Sequence, residues 1–215
     1  MNQVGYIHLG LCLLYGITTT LATSCAGGGT ISSNQCNQNC YGSECKCNTT
    51  EASNYYSCNQ TCMAHNCYED INITCIAQEN CVQVCDHGKC NMTCSAKDYC
   101  KQKADHNGAE TMSCSSKQQC VQSCEEGDCD MMHCEADACL QTCGNGGCTM
   151  TCTETVKVCS QSCTANKKCT LDCRAKVCLQ ECSGPKECII VNAAPSQVHL
   201  HFPLLFTAFL MLLQQ

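Results

Sequence analysis

The cysteines of this chain recur at a nearly constant spacing, and this regularity constrains the fold more than any other sequence feature. The chain has 31 cysteines, of which 30 lie between Cys25 and Cys188. They form successive units, and the last five intervals between unit starts are 19, 20, 19, 20 and 19 residues. A fixed period of this length predicts a tandem array in which each unit packs on its neighbours. The unit starts are Cys36, Cys58, Cys81, Cys100, Cys120, Cys139, Cys159 and Cys178.

Each full unit contains two short motifs, C-x-Q-x-C and C-x-[MIL]-x-C, as in "CLQTCGNGGCTMTC" from Cys139 to Cys152. Residues two apart share one face of a β-strand, so each motif would turn its two cysteines and its central residue to the same side. The central glutamines are Gln38, Gln60, Gln83, Gln102, Gln122, Gln141, Gln161 and Gln180. The apolar residues of the second motif are Ile73, Met92, Met112, Met132, Met150, Leu171 and Ile190.

This pattern predicts a flattened β-solenoid of about eight coils, each of 19–20 residues and each made of two facing strands bridged at both turns. Inside it the glutamines would form a ladder of hydrogen-bonded amides, which would satisfy polar groups that are costly to bury. The methionines would fill the space opposite. Two alternatives stay open: irregular disulfide-stapled loops, and short helical hairpins with cysteines four residues apart on one helix face.

The fourth unit reads "CKQKADHNGAETMSC" and has Ala104 and Ala109 where other units have their second and third cysteines. The loss of both indicates that these two positions are partners, because a single loss would leave a free thiol. By analogy the predicted pairs within units are Cys40–Cys45, Cys62–Cys67, Cys85–Cys90, Cys124–Cys129, Cys143–Cys148, Cys163–Cys169 and Cys182–Cys188.

The remaining cysteines pair as neighbours, the fourth of one unit with the first of the next. These predicted pairs are Cys25–Cys36, Cys47–Cys58, Cys75–Cys81, Cys94–Cys100, Cys114–Cys120, Cys134–Cys139, Cys152–Cys159 and Cys173–Cys178. The two sets use all 30 cysteines. Connectivity does not follow from sequence alone, and a nested scheme that joins the first and fourth cysteines of each unit remains the alternative.

Both ends of the chain carry processing signals. Residues 1–24 contain an apolar run followed by Ala22-x-Ser24, which predicts a secretory signal peptide cleaved before Cys25. Small residues from Asn192, a polar spacer and an apolar tail predict GPI attachment at Asn192 and removal of 193–215. The alternatives are an uncleaved anchor at the first end and a short transmembrane anchor at the second. The predicted ectodomain is 25–192.

The composition of this ectodomain favours an exported, cross-linked protein. All three phenylalanines lie in the discarded tail and the chain has no tryptophan, so disulfides must replace an aromatic core. Four N-glycosylation sequons, at Asn48, Asn59, Asn72 and Asn91, are plausible in an exported chain. A net charge of -7, acidic around 110–137 and basic around 157–186, argues against a nucleic-acid surface.

Candidate chemistry is sparse. Export predicts oxidised cysteines, so thiolate metal binding is not expected. His87 and His106 each follow an aspartate at the same turn position of successive units, where stacked turns could form a weak cation site, but a solvated turn is the preferred interpretation. No arrangement of a nucleophile with a base, or of two carboxylates in a pocket, stands out in the sequence, and free thiols are not expected. We therefore expect no enzyme activity, no metal and no cofactor.

In plan the chain resembles the cysteine-rich, GPI-tethered surface and matrix proteins of eukaryotes, including some proteins of invertebrate extracellular matrices. The resemblance covers the end signals and the cysteine density. It implies a glycosylated structural or adhesive protein on the outer face of the cell membrane, with the GPI lipid in the membrane and other surface or matrix proteins, or a regular surface, as partners. The alternatives are a secreted or shed extracellular-matrix protein, with mineral among its candidate surfaces, and a ligand-binding receptor module.

Overall fold

The structure is a computed structural model that describes residues 29–32, 34–40, 42–48, 56–63, 67–184 and 186–191; within these, the side chains of 32, 42–44, 48 and 67–70 are left out of the description. The regular structure of these residues is 17 β-strands in two sheets, without a helix. The predicted flattened, disulfide-rich β-solenoid is therefore confirmed, and the helical and irregular alternatives are excluded for this part of the chain. The predicted signal peptide, Cys25, Asn192 and the tail lie outside the described residues.

The first motif of each unit forms a strand of the first sheet. Its strands are β1 Thr30–Ser32, β2 Gln35–Asn39, β4 Ser57–Cys62, β6 Asn80–Cys85, β8 Tyr99–Ala104, β10 Gln119–Cys124, β12 Ala138–Cys143, β14 Val158–Cys163 and β16 Val177–Cys182. The second motif forms the second sheet. Its strands are β3 Gly42–Asn48, β5 Cys67–Ala77, β7 Cys90–Ala96, β9 Gly108–Ser116, β11 Asp128–Glu135, β13 Cys148–Cys152, β15 Lys168–Cys173 and β17 Glu187–Val191.

The chain alternates between the sheets, so that each unit forms one coil. Neighbouring strands pair in parallel, except that β1 is antiparallel to β2. The described chain makes seven turns from β2 to β16 and ends with β17. The register pairs equivalent residues of successive coils: in β10 and β12, Cys120 pairs with Cys139 and Gln122 with Gln141.

Disulfide bonds close the described coils at both turns, except at the first turn of the fourth coil, where Ala104 and Ala109 replace the cysteines. One column of bridges lies where the chain passes from the first sheet to the second, as in Cys124–Cys129, and the other where it returns, as in Cys134–Cys139. The thirteen bridges described are all pairs of the neighbour scheme, and Cys94 is bonded to Cys100 rather than to Cys81. Cys36 and Cys62 are also disulfide-bonded, and their predicted partners, Cys25 and Cys67, lie outside the described residues and side chains.

The glutamines form a continuous ladder through the interior. Each side-chain amide from Gln60 to Gln180 donates to the carbonyl oxygen of the glutamine in the preceding coil, over distances of 2.7–3.1 Å. The other amide hydrogen is donated to a main-chain oxygen of the second sheet: Gln122 Nε2 lies 2.7 Å from the main-chain oxygen of Met112. Seven glutamines are buried to 3% exposure or less because these bonds satisfy their amides.

Apolar side chains from the second sheet fill the remaining space. The residues that occupy this column without solvent contact are Ile73, Met92, Met112, Met132, Met150 and Leu171. In the fourth coil Ala104 and Ala109 are buried in the disulfide column, in register with bonded cysteines above and below. Ile190 departs from the prediction and is 40% exposed, since it belongs to the final strand and no described coil covers it.

Candidate functional site

The interior of the described coils is filled by disulfides, amides and apolar side chains, so functional groups must be sought outside. The cysteine sulfurs that cluster within 4.8 Å of one another, such as those of Cys81, Cys94 and Cys100, are disulfide-bonded and do not act as thiolate ligands. A shallow groove lies along the turn between the sheets, lined by Asp128, Gly147 and Lys168. The larger features are the outer sheet faces and the turns.

The outer face of the second sheet carries in-register columns of mainly polar side chains, many of them threonine, serine or asparagine. One column consists of Lys46, Thr74, Thr93, Ser113, His133, Thr151, Asp172 and Val191. The parallel column two residues earlier includes Asn72, Asn91, Thr111, Thr149 and Thr170. Coils stack about 4.8 Å apart and residues two apart along a strand lie about 6.6 Å apart, so hydroxyl and amide groups form a regular array.

A bulge adjusts this face in the middle of the array. The fourth and fifth coils have one extra residue before the buried methionine, and the register shifts between Cys90 and Asn91 and between Cys129 and Met132. The shift keeps Met132 inside and places Met131 outside, where it is 52% exposed. The bulge thus keeps a methionine in the interior column of the fifth coil, and it leaves the apolar side chain of Met131 exposed on the outer face.

The sequons occur on both sheets of the first three coils. Asn59 points outward from β4 and its amide donates to Asn37 at 3.3 Å. Asn72 and Asn91 are adjacent in the second sheet, and Asn72 is exposed. Asn91 donates to Glu110 at 3.0 Å and accepts from Thr111 at 2.8 Å. Asn48 ends β3, but its side chain is not described.

The turns that lead from the first sheet to the second stack charged residues of successive coils. Lys103 contacts the carboxylates of Asp105 and Glu125, each at 3.0 Å, and the hydrogen bonds to these two groups raise the pKa of Lys103. The next position of the same turns carries His87 and His106, whose rings stack with centroids 4.6 Å apart. These two histidines occupy equivalent turn positions in the sequence repeat, and the structure brings them into contact.

The carboxylate of Asp128 joins three coils at the groove. It accepts hydrogen bonds from the ammonium group of Lys167 at 2.9 Å and from the main-chain amide of Gly147 at 2.7 Å. These bonds, that of Lys167 first, lower the pKa of Asp128, although burial acts in the opposite direction. Sequence reasoning missed this contact because Asp128 and Lys167 are 39 residues apart; only the two-coil offset of the solenoid brings them together.

The described residues contain no helix of the length and apolarity needed to cross a bilayer. Disulfide bonding on this scale is typical of extracellular proteins. No protein-family model, curated protein sequence or solved structure matches this chain significantly.

Proposed function

We propose that the protein is a GPI-anchored, N-glycosylated, non-catalytic surface rod with a structural or adhesive role. The observation that carries this proposal is the register of the outer second sheet, where Thr74, Thr93 and Ser113 stand directly over one another in successive coils. An array of equivalent groups at fixed spacing suits a partner that is itself repetitive. Many weak contacts formed together then give strong attachment through their high effective concentration.

Rigidity supports the same proposal. Bridges at both turns and a buried amide ladder hold each coil against the next, so that little side-chain or backbone order remains to be imposed when a surface binds. Binding costs less conformational entropy when the binding groups are preorganised. A rigid flat face is therefore better suited to an ordered partner, such as a matrix fibre or a neighbouring copy, than a mobile loop would be.

The positions of the modification signals suggest how the rod would stand. The predicted lipid attachment residue, Asn192, directly follows β17, which ends at Val191. The predicted glycans belong to the first three coils, at the opposite end. A GPI-anchored rod would thus hold its glycans away from the membrane and leave the coils after Cys100 free for contact with neighbouring molecules.

The anchoring part of the proposal is tested by expressing the full chain in eukaryotic cells with an epitope tag after Cys25. We expect phosphatidylinositol-specific phospholipase C to release the protein from intact cells, and peptide N-glycosidase F to lower its mass. A matched chain that ends at Asn192 should be secreted without lipid. Retention on membranes after phospholipase treatment would contradict the GPI anchor, and recovery mainly from insoluble matrix would favour a matrix role instead.

The adhesive part is tested with beads that carry residues 25–192. We expect such beads to attach to cells that express the protein, and we expect lysine substitutions at Thr149 and Thr151 on the second sheet to reduce attachment strongly. The matched control places lysines at Ser160 and Ser162, which flank a buried glutamine on the first sheet in the same way. Equal loss of attachment by both variants, or none by either, would refute a role for the second sheet.

A further inference from the structure

The stacked histidines of the third and fourth coils lie beside a shared carboxylate. His87 Nδ1 is 3.5 Å from one oxygen of Asp86, and His106 Nδ1 is 3.4 Å from the other. One ligand atom from each of the three side chains lies within 4.8 Å of the ligand atoms of the other two. From this geometry we infer that Asp86, His87 and His106 form a binding site for a divalent transition-metal ion of the Zn²⁺ or Cu²⁺ type.

The distances suit a tetrahedral ion. Zn²⁺ binds imidazole nitrogen and carboxylate oxygen at about 2.0–2.2 Å, which places neighbouring ligand atoms about 3.3 Å apart. The two nitrogen–oxygen distances are already close to this value. Because these distances involve different oxygens of Asp86, the three side chains must still converge on one ion, and they can tilt because Asp86, His87 and His106 are 37%, 41% and 49% exposed. A fourth position remains open to water.

The hydrogen-bonding state of the histidines supports the same assignment. His87 Nδ1 is a buried atom without a hydrogen-bond partner, because its contact with Asp86 does not have hydrogen-bond geometry. Such a nitrogen is costly to bury unless something uses its lone pair. A metal ion bound between the two rings and the carboxylate would use it, and imidazole with one carboxylate is a donor set that suits Zn²⁺ and Cu²⁺ rather than Mg²⁺ or Ca²⁺.

The fifth coil provides an outer partner. Glu126 occupies the turn position that follows His106 in the stack, and its carboxylate lies 3.8 Å from His106 Nε2. Metal-binding histidines usually direct their second ring nitrogen to a carboxylate, which orients the ring and increases its basicity. The order Asp86, His106 and Glu126 has this arrangement, with one residue from each of three successive coils. The solenoid repeat therefore builds the site from turns that are about 20 residues apart in sequence.

The test uses the mature oxidised ectodomain and Zn²⁺, in competition with a chromophoric chelator and after thiol titration has shown that no free thiol remains. We expect one Zn²⁺ per chain, with loss of binding in His87→Gln and His106→Gln. Glu126→Gln should weaken binding about tenfold or more. His133→Gln is the matched control, because His133 lies on the outer second sheet in register with Ser113 and Thr151 and this variant should bind Zn²⁺ as the wild type does.

A second measurement locates the ion. On addition of Zn²⁺, the ring-proton NMR signals of His87 and His106 should shift and those of His133 should not. The inference is overturned if the wild type binds no more Zn²⁺ than the double variant His87→Gln/His106→Gln, or if His133→Gln loses binding equally. It is also overturned if Ca²⁺ binds as well as Zn²⁺ and the histidine variants leave that binding unchanged.

Discussion

At the scale of the residue, the fold depends on buried glutamine amides, each of which hydrogen-bonds to the neighbouring coils and to the opposite sheet. Gln122 donates to Gln102 at 2.9 Å and accepts from Gln141 at 2.7 Å, and its amide also contacts the opposite sheet. A polar side chain in this position is stable only because every neighbouring coil supplies the same residue. The glutamine column therefore fixes the register of the coils as well as satisfying its own hydrogen bonds.

Replacing Gln122 by methionine of similar volume should destabilise the protein markedly. The substitution removes the donor from Gln102 and the acceptor from Gln141, and each buried group left unpaired costs about 1–3 kcal/mol. Gln180→Met is the matched control at the partly exposed end of the ladder, where water can replace the lost bond. Denaturant unfolding without reductant should show a much larger loss for Gln122→Met; equal losses would contradict the role of the ladder.

Asp128 should give a pH dependence with a defined sign. Because its pKa is lowered in the folded state by Lys167 and Gly147, its contribution to stability is present above the ordinary aspartate pKa and is lost as pH falls through the lowered value. The side chain is 40% exposed, so the contribution should not exceed about 1 kcal/mol. The NMR chemical shift of the Gly147 amide proton should follow the ionisation of Asp128, with a midpoint below about pH 3.9.

Lys167→Gln provides the control for this titration. The midpoint should rise, because the hydrogen bond that lowers the pKa of Asp128 most is lost. It should stay below the ordinary aspartate pKa, since the Gly147 amide still donates to the carboxylate. A wild-type midpoint at or above the ordinary aspartate value would contradict the described contacts. The stability difference between the wild type and Asp128→Asn should also disappear at strongly acidic pH.

At the scale of the element, much of the fold could be predicted because the repeat is short and its period is strict. C-x-Q-x-C implies strand geometry through its two-residue spacing, and the paired loss at Ala104 and Ala109 points to bridge partners. The two-residue spacing from Cys134 placed Met132 inside, as the structure confirms, but the sequence "DMMH" does not show how the extra residue before it is accommodated, so the bulge that exposes Met131 was not predicted. The site at Asp86, His87 and His106 was visible as a turn position, but its geometry required the register between coils.

The fourth coil should accept the bridge that its sequence lacks. Ala104 pairs in register with Cys85 and Cys124, and Ala109 with Cys90 and Cys129; the bridges of these adjacent coils span 6.4 and 6.3 Å between Cα atoms. The double variant Ala104→Cys/Ala109→Cys should therefore form an additional disulfide.

The added bridge closes a short loop and should raise stability by about 2 kcal/mol according to the chain-entropy estimate. Intact mass and thiol titration in denaturant check this, with Ala104→Cys alone as the control that retains one reactive thiol. Two titratable thiols in the double variant would show that the fourth coil differs in geometry from its neighbours.

At the scale of the whole molecule, the two ends are unlike each other. β1 runs antiparallel to β2 and covers the edge of the first sheet, whereas the last coil leaves Val177 and Ile190 each 40% exposed. Between the ends, charges pair across coils, as in Lys157 with Asp137 and Lys168 with Glu187. The acidic and basic blocks of the sequence therefore meet partly within one molecule, where each exposed pair contributes little stability.

Because each coil contacts mainly the coils on either side, a whole internal coil should be removable. Deletion of 120–138 joins Gln119 to Cys139, removes four cysteines, and lets Cys114 bridge to Cys139 as it does to Cys120 in the intact chain. Gln141 then meets Gln102 in the ladder, and the outer columns continue with one member fewer. We expect this chain to be secreted with no free thiol and with a circular dichroism spectrum like that of the parent.

The control deletes 120–128, which also removes an even number of cysteines but takes away only the first-sheet strand from Cys120 onward, the following turn and Asp128 at the start of β11. Two second-sheet strands would then follow each other without a return strand between them, and the glutamine ladder would be broken between Gln102 and Gln141. We expect retention in the cell or free thiols after secretion. If both deletions were secreted fully oxidised, the coil would not be the unit of folding, and the regular outer array would not depend on its integrity.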